Sequence, residues 1–236
     1  MANNNYPFSQ NLVILMYHGT PNIKPTSQYS IQAKKFVAQL KYLKNNGWQT
    51  ALIKDLKEPS KLPEKTVILT FDDGYADNYN GAFLPLLEYN MKATWFITSN
   101  CINKHANWMG AKTNETKMLS GIQLKDLAEQ GMEIASHTCS HPDLTTLGYS
   151  EQLEELKQSK EMLESILSSK ISSFAYPYGK YNQDSIKAVE QVGYTQACSV
   201  RSGFYRNTES PFLIRRVTIF DTDTVSTLAR KLVFAD

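Results

Sequence analysis

Cysteine is scarce in this chain of 236 residues: Cys101, Cys139 and Cys198 are all it has. Three cysteines cannot make a disulfide framework, so nothing in them demands an oxidising compartment. Charge of one sign is lacking too. Lys and Arg number 25 against 23 Asp and Glu, a net of +2, which leaves no basic footprint for nucleic acid or for an anionic membrane surface. Long hydrophobic runs are missing: the longest near the start, residues 12–17, is far too short to span a bilayer. It has neither the basic leader nor the small-residue cleavage site of a signal peptide. The protein is therefore expected to be extracellular or at the cell surface if a signal peptide has been removed, and cytoplasmic otherwise. Histidine is rarer than proline, four against nine, so each one carries information. What is present suffices for a core: 42% hydrophobic residues over this length fit a single domain spanning 1–236. Nothing in the composition speaks to oligomeric state.

Apolar runs alternate with helical periodicities along the chain. Strands are expected at 12–17, 48–53, 67–71, 93–98, 133–136, 171–175, 196–200 and 213–219, from continuous β-rich runs bounded by turn residues. Between them the spacing predicts helices over 36–43, 82–89, 124–131, 153–167, 182–192 and 224–233. The polar stretch 99–120 reads as a flexible or substrate-facing excursion. Such alternation implies right-handed βαβ units and a parallel sheet, closed into a barrel or doubly wound. The polar residues then fall in one kind of place. His18, Asp72 and Asp73, His137 and His141, and Tyr178 all follow apolar strand runs. In a barrel those C-terminal strand ends share one rim, where active sites are assembled.

Two of these groups invite metal chemistry. Asp72-Asp73-Gly74 puts like charges side by side at a strand end, comfortable only if a cation or donors offset them; in isolation it reads sooner as a solvated turn. His137 and His141 are spaced i, i+4, on one side of a helical turn. With one carboxylate they complete the two-nitrogen, one-oxygen set of catalytic zinc sites. A lone His-x-x-x-His is otherwise ordinary surface or core chemistry. Cys139 between them reads as a small buried residue.

Together, Thr70-Phe71-Asp72-Asp73-Gly74 and His137-Thr138-x-x-His141 resemble the polysaccharide deacetylase family, the NodB-homology or carbohydrate esterase family 4 domain. The similarity runs from about residue 11 to residue 221. It implies an α/β fold, a distorted, incomplete (β/α) barrel of about seven strands with the active site at the C-terminal strand ends. It implies that Asp73, His137 and His141 hold one divalent metal ion, usually zinc, although such a ligand set does not exclude nickel or cobalt. Asp72 would be the general base. Tyr178, in Tyr176-Pro177-Tyr178-Gly179, would offer its backbone N–H to the oxyanion. The activity implied is hydrolysis of N-acetyl groups from an N-acetylglucosamine-containing polysaccharide. Rival readings are a hydrolase of an O-acetylated glycan or small amide, and a non-catalytic carbohydrate-binding relative. Retention of the whole ligand set and of Asp72 argues against the last.

Two departures from the family pattern stand out. The Arg that usually braces the catalytic Asp is replaced by Ala175, and no histidine follows His141 to act as the usual acid. Both gaps resemble the branch that deacetylates poly-β-1,6-N-acetylglucosamine in biofilms, where the acid comes from an early Tyr-His, here Tyr17-His18. A structural histidine at a strand end is the alternative. His105, in the polar stretch, reads as solvent-exposed. Arg216 is expected to replace the missing brace, because an Arg in an apolar strand is costly unless paired. Strand alternation sends Arg215 and Arg216 to opposite faces, so only one reaches the site; the family's usual Pro-Arg at this point favours Arg216. Trp108 and Tyr181 are the candidates for a sugar-binding groove, while Trp95, in mid-strand, belongs to the core.

Overall fold

The computed structural model describes residues 12–25, 27–106, 108 and 116–235. Strands β1 (Val13–Tyr17), β2 (Gln49–Ala51), β3 (Thr66–Phe71), β4 (Thr94–Ile97), β5 (Glu133–Ser136), β6 (Ser173–Ala175), β7 (Gln196–Cys198) and β8 (Val217–Thr218) form one sheet. All pairings are parallel, in the order β7-β6-β5-β4-β3-β1-β8, and β2 joins beside the first half of β3. Helices α1 (Ala33–Asn45), α2 (Leu84–Glu88), α3 (Gly121–Glu129), α4 (Tyr149–Leu167), α5 (Gln183–Gln191) and α6 (Val225–Phe234) occupy the crossovers. The expected incomplete (β/α) barrel is what the sheet makes.

Strands covered on both faces explain the continuous apolar runs. Val13, Leu15 and Tyr17, with Val67, Leu69, Phe71, Trp95 and Ile134, pack outward into one core with Phe36, Leu40, Leu127, Leu156, Leu163, Val189 and Leu228 of the helices. The alternate residues Ile14, Ile68, Phe96, Ala135, Ala175 and Cys198 form a second core, closed by Ile53, Leu56 and Ile214. This second cluster is the inside of the curled sheet. Parity therefore dictates what emerges at its rim: Ile14-Met16-His18, Ile68-Thr70-Asp72 and Ala135-His137 each continue an inward-facing series.

The helices follow their apolar stripes. In α4 the buried face is Gln152, Leu156, Ser159 and Leu163, while Leu153 and Leu167 are only half-buried. The polar members are satisfied: the Ser159 and Ser136 hydroxyls meet at 2.8 Å. Caps set the starts of α3, α5 and α6, where Ser120, Asn182 and Thr224 accept the N–H groups of Gln123, Ser185 and Thr227, satisfying otherwise orphan donors. The region 82–89 is not one α-helix: a π-helical turn, Tyr79–Phe83, precedes α2. Gly81 in it passes so close to β1's exit loop that a Cβ there would lie 1.9 Å from the Thr20 carbonyl oxygen.

The strand expected over 213–219 is realised only at Val217–Thr218. Before it, Ile214 bonds to β7, donating to the Ala197 carbonyl at 2.9 Å and accepting from the Ser199 N–H at 2.8 Å. Three residues later Val217 pairs with Leu15 of β1. This segment changes partner as it crosses the seam of the barrel, so no single ladder can extend along it. Among the described residues no helix is long and apolar enough to cross a membrane. All three cysteines are free and buried.

Candidate active site

Asp72 and Asp73 leave β3 in opposite conformations and acquire different partners. Asp72 keeps the inward parity of Thr70. There it meets Arg216, whose Nη1 and Nη2 donate to its two carboxylate oxygens at 2.6 and 2.7 Å. Arg216 is wholly buried, and two further N–H groups are used on Thr70 Oγ1 and the Ser199 carbonyl, both at 3.1 Å. Its guanidinium also lies over the Phe96 ring. Burial by itself would raise the Asp72 carboxyl, but Arg216 foremost, then His137, outweighs it and holds the group below its ordinary range. Arg215 points elsewhere, to Glu209 at 2.8 Å and the Ser202 carbonyl at 3.0 Å. Although neither lies in a strand, the two arginines take different partners, and the one that meets Asp72 is Arg216.

Asp73 turns away through a left-handed backbone, φ +74°, followed by Gly74 at +91°. Its Oδ1 lies 3.4 Å from His137 Nε2 and 3.2 Å from His141 Nε2. One atom from each of the three residues falls within 4.8 Å of the others, and all three residues are buried. Donors at about 2.0–2.1 Å from a tetrahedral ion are about 3.3 Å apart, so this spacing fits a metal centre. The tautomer fits as well. His137 Nδ1 lies 2.8 Å from the Ala175 carbonyl, which can only accept, so Nδ1 carries the proton and Nε2 offers its lone pair.

The two histidines do not converge on a helical turn. Residues 137–141 form a bend in which Thr138 and His141 adopt φ +67° and +65°, and this tight reversal brings the rings to a centroid separation of 4.9 Å. Thr138 Oγ1 accepts the His141 N–H at 2.9 Å. Glu155 of α4 pins the middle of the bend, accepting the Cys139 and Ser140 N–H groups at 3.0 and 2.9 Å. With Asp73 and Tyr178, also at positive φ, four strained non-glycine residues surround one point. Each such residue costs roughly 1–3 kcal/mol and persists where its surroundings over-determine it, as at functional sites.

His18, Trp108 and Tyr178 line one cavity of about 460 Å³, together with Asp72, Asp73, His137 and His141. His18 lines it, half-buried, its ring beside Tyr29. Tyr178 presents a ring edge to His141 at 4.6 Å. Trp108, in the long polar stretch, stacks on the His141 ring at 4.1 Å and 19°. Tyr181 does not line the cavity; it packs against Tyr176 at 5.1 Å. Trp95 is fully buried and stacked on Phe71. His105 is half-buried rather than exposed, because its backbone bridges to Lys117. Four contributors escaped the sequence reading. Thr70 had a signal, since it shares parity with Asp72. The Ala175 carbonyl, Glu155, and Tyr75, whose hydroxyl contacts Asp73 and Trp108, had none, because backbone carbonyls and loop contacts leave no pattern.

Residues 60–197 match the family model described as polysaccharide deacetylase. Over 213 residues the chain is 33% identical to YxkH of Bacillus subtilis, a protein named for that family, covering 88% of this chain and 71% of the other. It is 29% identical over 192 residues to the poly-β-1,6-N-acetyl-D-glucosamine N-deacetylase of Staphylococcus epidermidis, covering 76% of this chain and 63% of that one. Among solved structures, the deacetylase PplD of Streptococcus pyogenes in complex with acetate superimposes with a TM-score of 0.82 at 26% identity, over 94% of this chain and 97% of PplD. By the extent of these matches, the chain belongs to the polysaccharide deacetylase family, the hydrolases of carbohydrate esterase family 4.

Proposed function

We propose that this chain is a metal-dependent N-deacetylase of an N-acetylglucosamine-containing polysaccharide. The observation that carries the reading is the Asp73–His137–His141 cluster beside an Asp72 held by Arg216. In this reading those three residues hold one divalent ion, with zinc the first choice because two imidazoles and a carboxylate are a common catalytic zinc set, and nickel or cobalt compatible with the same donor types. When bound, the ion supplies Lewis acidity, which lowers the pKa of a water to ~7 and polarises a carbonyl oxygen.

The chain's own residues supply the rest. Asp72, kept ionised by Arg216, takes a proton from the attacking water as general base. Tyr178 offers its backbone N–H to the oxyanion that develops on the acetyl carbon. His18 gives a proton to the amine nitrogen as the C–N bond breaks, leaving acetate and a free amino sugar. Trp108 and Tyr178 line the cavity and offer ring faces against which pyranose rings pack. The name of the Staphylococcus epidermidis relative supports a poly-β-1,6-linked polymer as the first substrate to try.

The test is acetate release from a panel of acetylated glycans, with and without chelator. Release from N-acetylglucosamine polymers that stops on chelation and returns with zinc is expected. Release only from O-acetylated xylan would reassign the activity to ester hydrolysis. No release from any glycan by the metal-loaded protein would leave the carbohydrate-binding alternative standing.

A further inference from the structure

His18 leaves β1 with little to orient its ring. Its Nδ1 is buried and has no hydrogen-bond partner among the described residues, whereas His137 has the Ala175 carbonyl. An imidazole that works on a reacting atom needs its ring fixed, commonly by a bond to the other nitrogen. In place of one, the His18 ring lies against Tyr29, with centroids 5.4 Å apart at 36°. Tyr29 is 43% exposed, so its placement is not explained by burial in a core.

What holds Tyr29 is a second loop. Phe220 backs it at 5.9 Å, and the loop carrying Phe220 is wound around one buried ammonium. Lys231 Nζ donates to the Thr218 carbonyl at 2.7 Å and to Asp223 at 2.5 Å, and lies 4.9 Å over the Phe220 ring. Asp223 in turn accepts the Phe220 N–H at 2.8 Å. The two loops are tied directly as well: the Asp221 N–H donates to the Gln28 carbonyl at 2.8 Å, and Lys35 Nζ donates to the Asp221 carbonyl at 2.5 Å. Lys231 and Asp223 are 6% and 5% exposed. A pair so buried gains little net stability against apolar replacements, but it fixes the geometry of everything bonded to it.

We propose that Tyr29 is the positioning residue of His18: its ring sets the orientation of the imidazole, and the Phe220 loop clipped to Lys231 sets Tyr29. The proposal rests on the reading of His18 as the donor of a proton to the leaving amine. It differs from a sugar-platform role for Tyr29, which would act on substrate affinity.

A double-mutant cycle separates these. Wild type, Tyr29→Ala, His18→Ala and the double variant are assayed for acetate release from an N-acetylglucosamine oligomer, with zinc content and melting temperature measured on each. Tyr29→Ala is expected to lower kcat roughly 10- to 100-fold, the scale of a small misplacement of a catalytic group, at unchanged KM and zinc content. Tyr29→Phe should restore the rate, since the ring and not the hydroxyl does the positioning. In the His18→Ala background, Tyr29→Ala should cost nothing more. Additive losses, or a raised KM at unchanged kcat, would overturn the positioning role while leaving His18 as the acid. Wild-type kcat in His18→Ala would overturn the acid reading itself, and the proposal with it.

Discussion

Arg216 grips Asp72 through two parallel hydrogen bonds of 2.6 and 2.7 Å, across 144 residues of chain and with neither side chain open to solvent. The arginine comes from the segment that crosses the barrel seam, and the aspartate from the end of β3. The position in β6 where the family pattern has its arginine is Ala175, whose carbonyl instead orients His137.

Breaking this pair is expected to be severe. Arg216→Met leaves a buried carboxylate uncompensated, a situation that costs about 3–5 kcal/mol, and it should abolish most turnover. Arg215→Met, which loses a partly solvated pair with Glu209, should cost no more than about 1 kcal/mol. Urea denaturation of both variants decides the matter. Equal losses would mean that Arg216 is not held as described.

The adjacent aspartates should separate cleanly. Asp72→Asn is expected to retain metal and lose ~10²–10⁴-fold in kcat, the usual contribution of a general base. Asp73→Asn and His137→Ala should lose metal and activity together. Elemental analysis and acetate release on the same preparations report both quantities. Metal lost from Asp72→Asn but kept by Asp73→Asn would reverse the two roles.

Glu155 holds the bend between the histidines without touching them, through the N–H groups of Cys139 and Ser140. Glu155→Ala is expected to weaken zinc binding by roughly 10- to 100-fold, as loss of outer-shell support does, with activity regained at high zinc. Competition against a chromophoric chelator measures it. Unchanged affinity would show that Thr138 alone suffices to set the bend.

Glu133 makes stability depend on pH. It sits at the far end of β5, where burial outweighs hydrogen bonds from Ser173, the Lys54 N–H and Thr94 and holds its carboxyl above the ordinary range. The folded state therefore binds this proton more tightly than the unfolded chain. Its contribution is complete below the unfolded pKa of ~4.3 and is lost as pH rises through the folded value. Glu133→Gln should accordingly become more stable relative to wild type between pH 4 and pH 8. A stability difference that stays flat over this range would contradict the assignment.

Much of this was legible in the chain because it is local. Continuous apolar runs mean strands covered on both faces, and alternation of such runs with helical spacing means a parallel βαβ sheet. The resemblance carried by Thr70–Gly74 and His137–His141 supplied the incomplete barrel, and parity along β1, β3 and β5 is enough to aim His18, Asp72 and His137 at one rim. Tertiary structure decided what depends on contacts between distant segments or on backbone angles that residue type does not specify. The histidines meet through two left-handed residues rather than a helical turn. The strand expected over 213–219 breaks where it changes partners at the seam, and Arg216 on that segment meets Asp72 across the barrel. Tyr181 packs on Tyr176 instead of facing the cavity, while Tyr29, unremarkable in the sequence, comes to lie against His18 with Phe220 behind it. In each case the deciding energy lies in packing and hydrogen bonds between elements far apart in the chain, which no local pattern encodes.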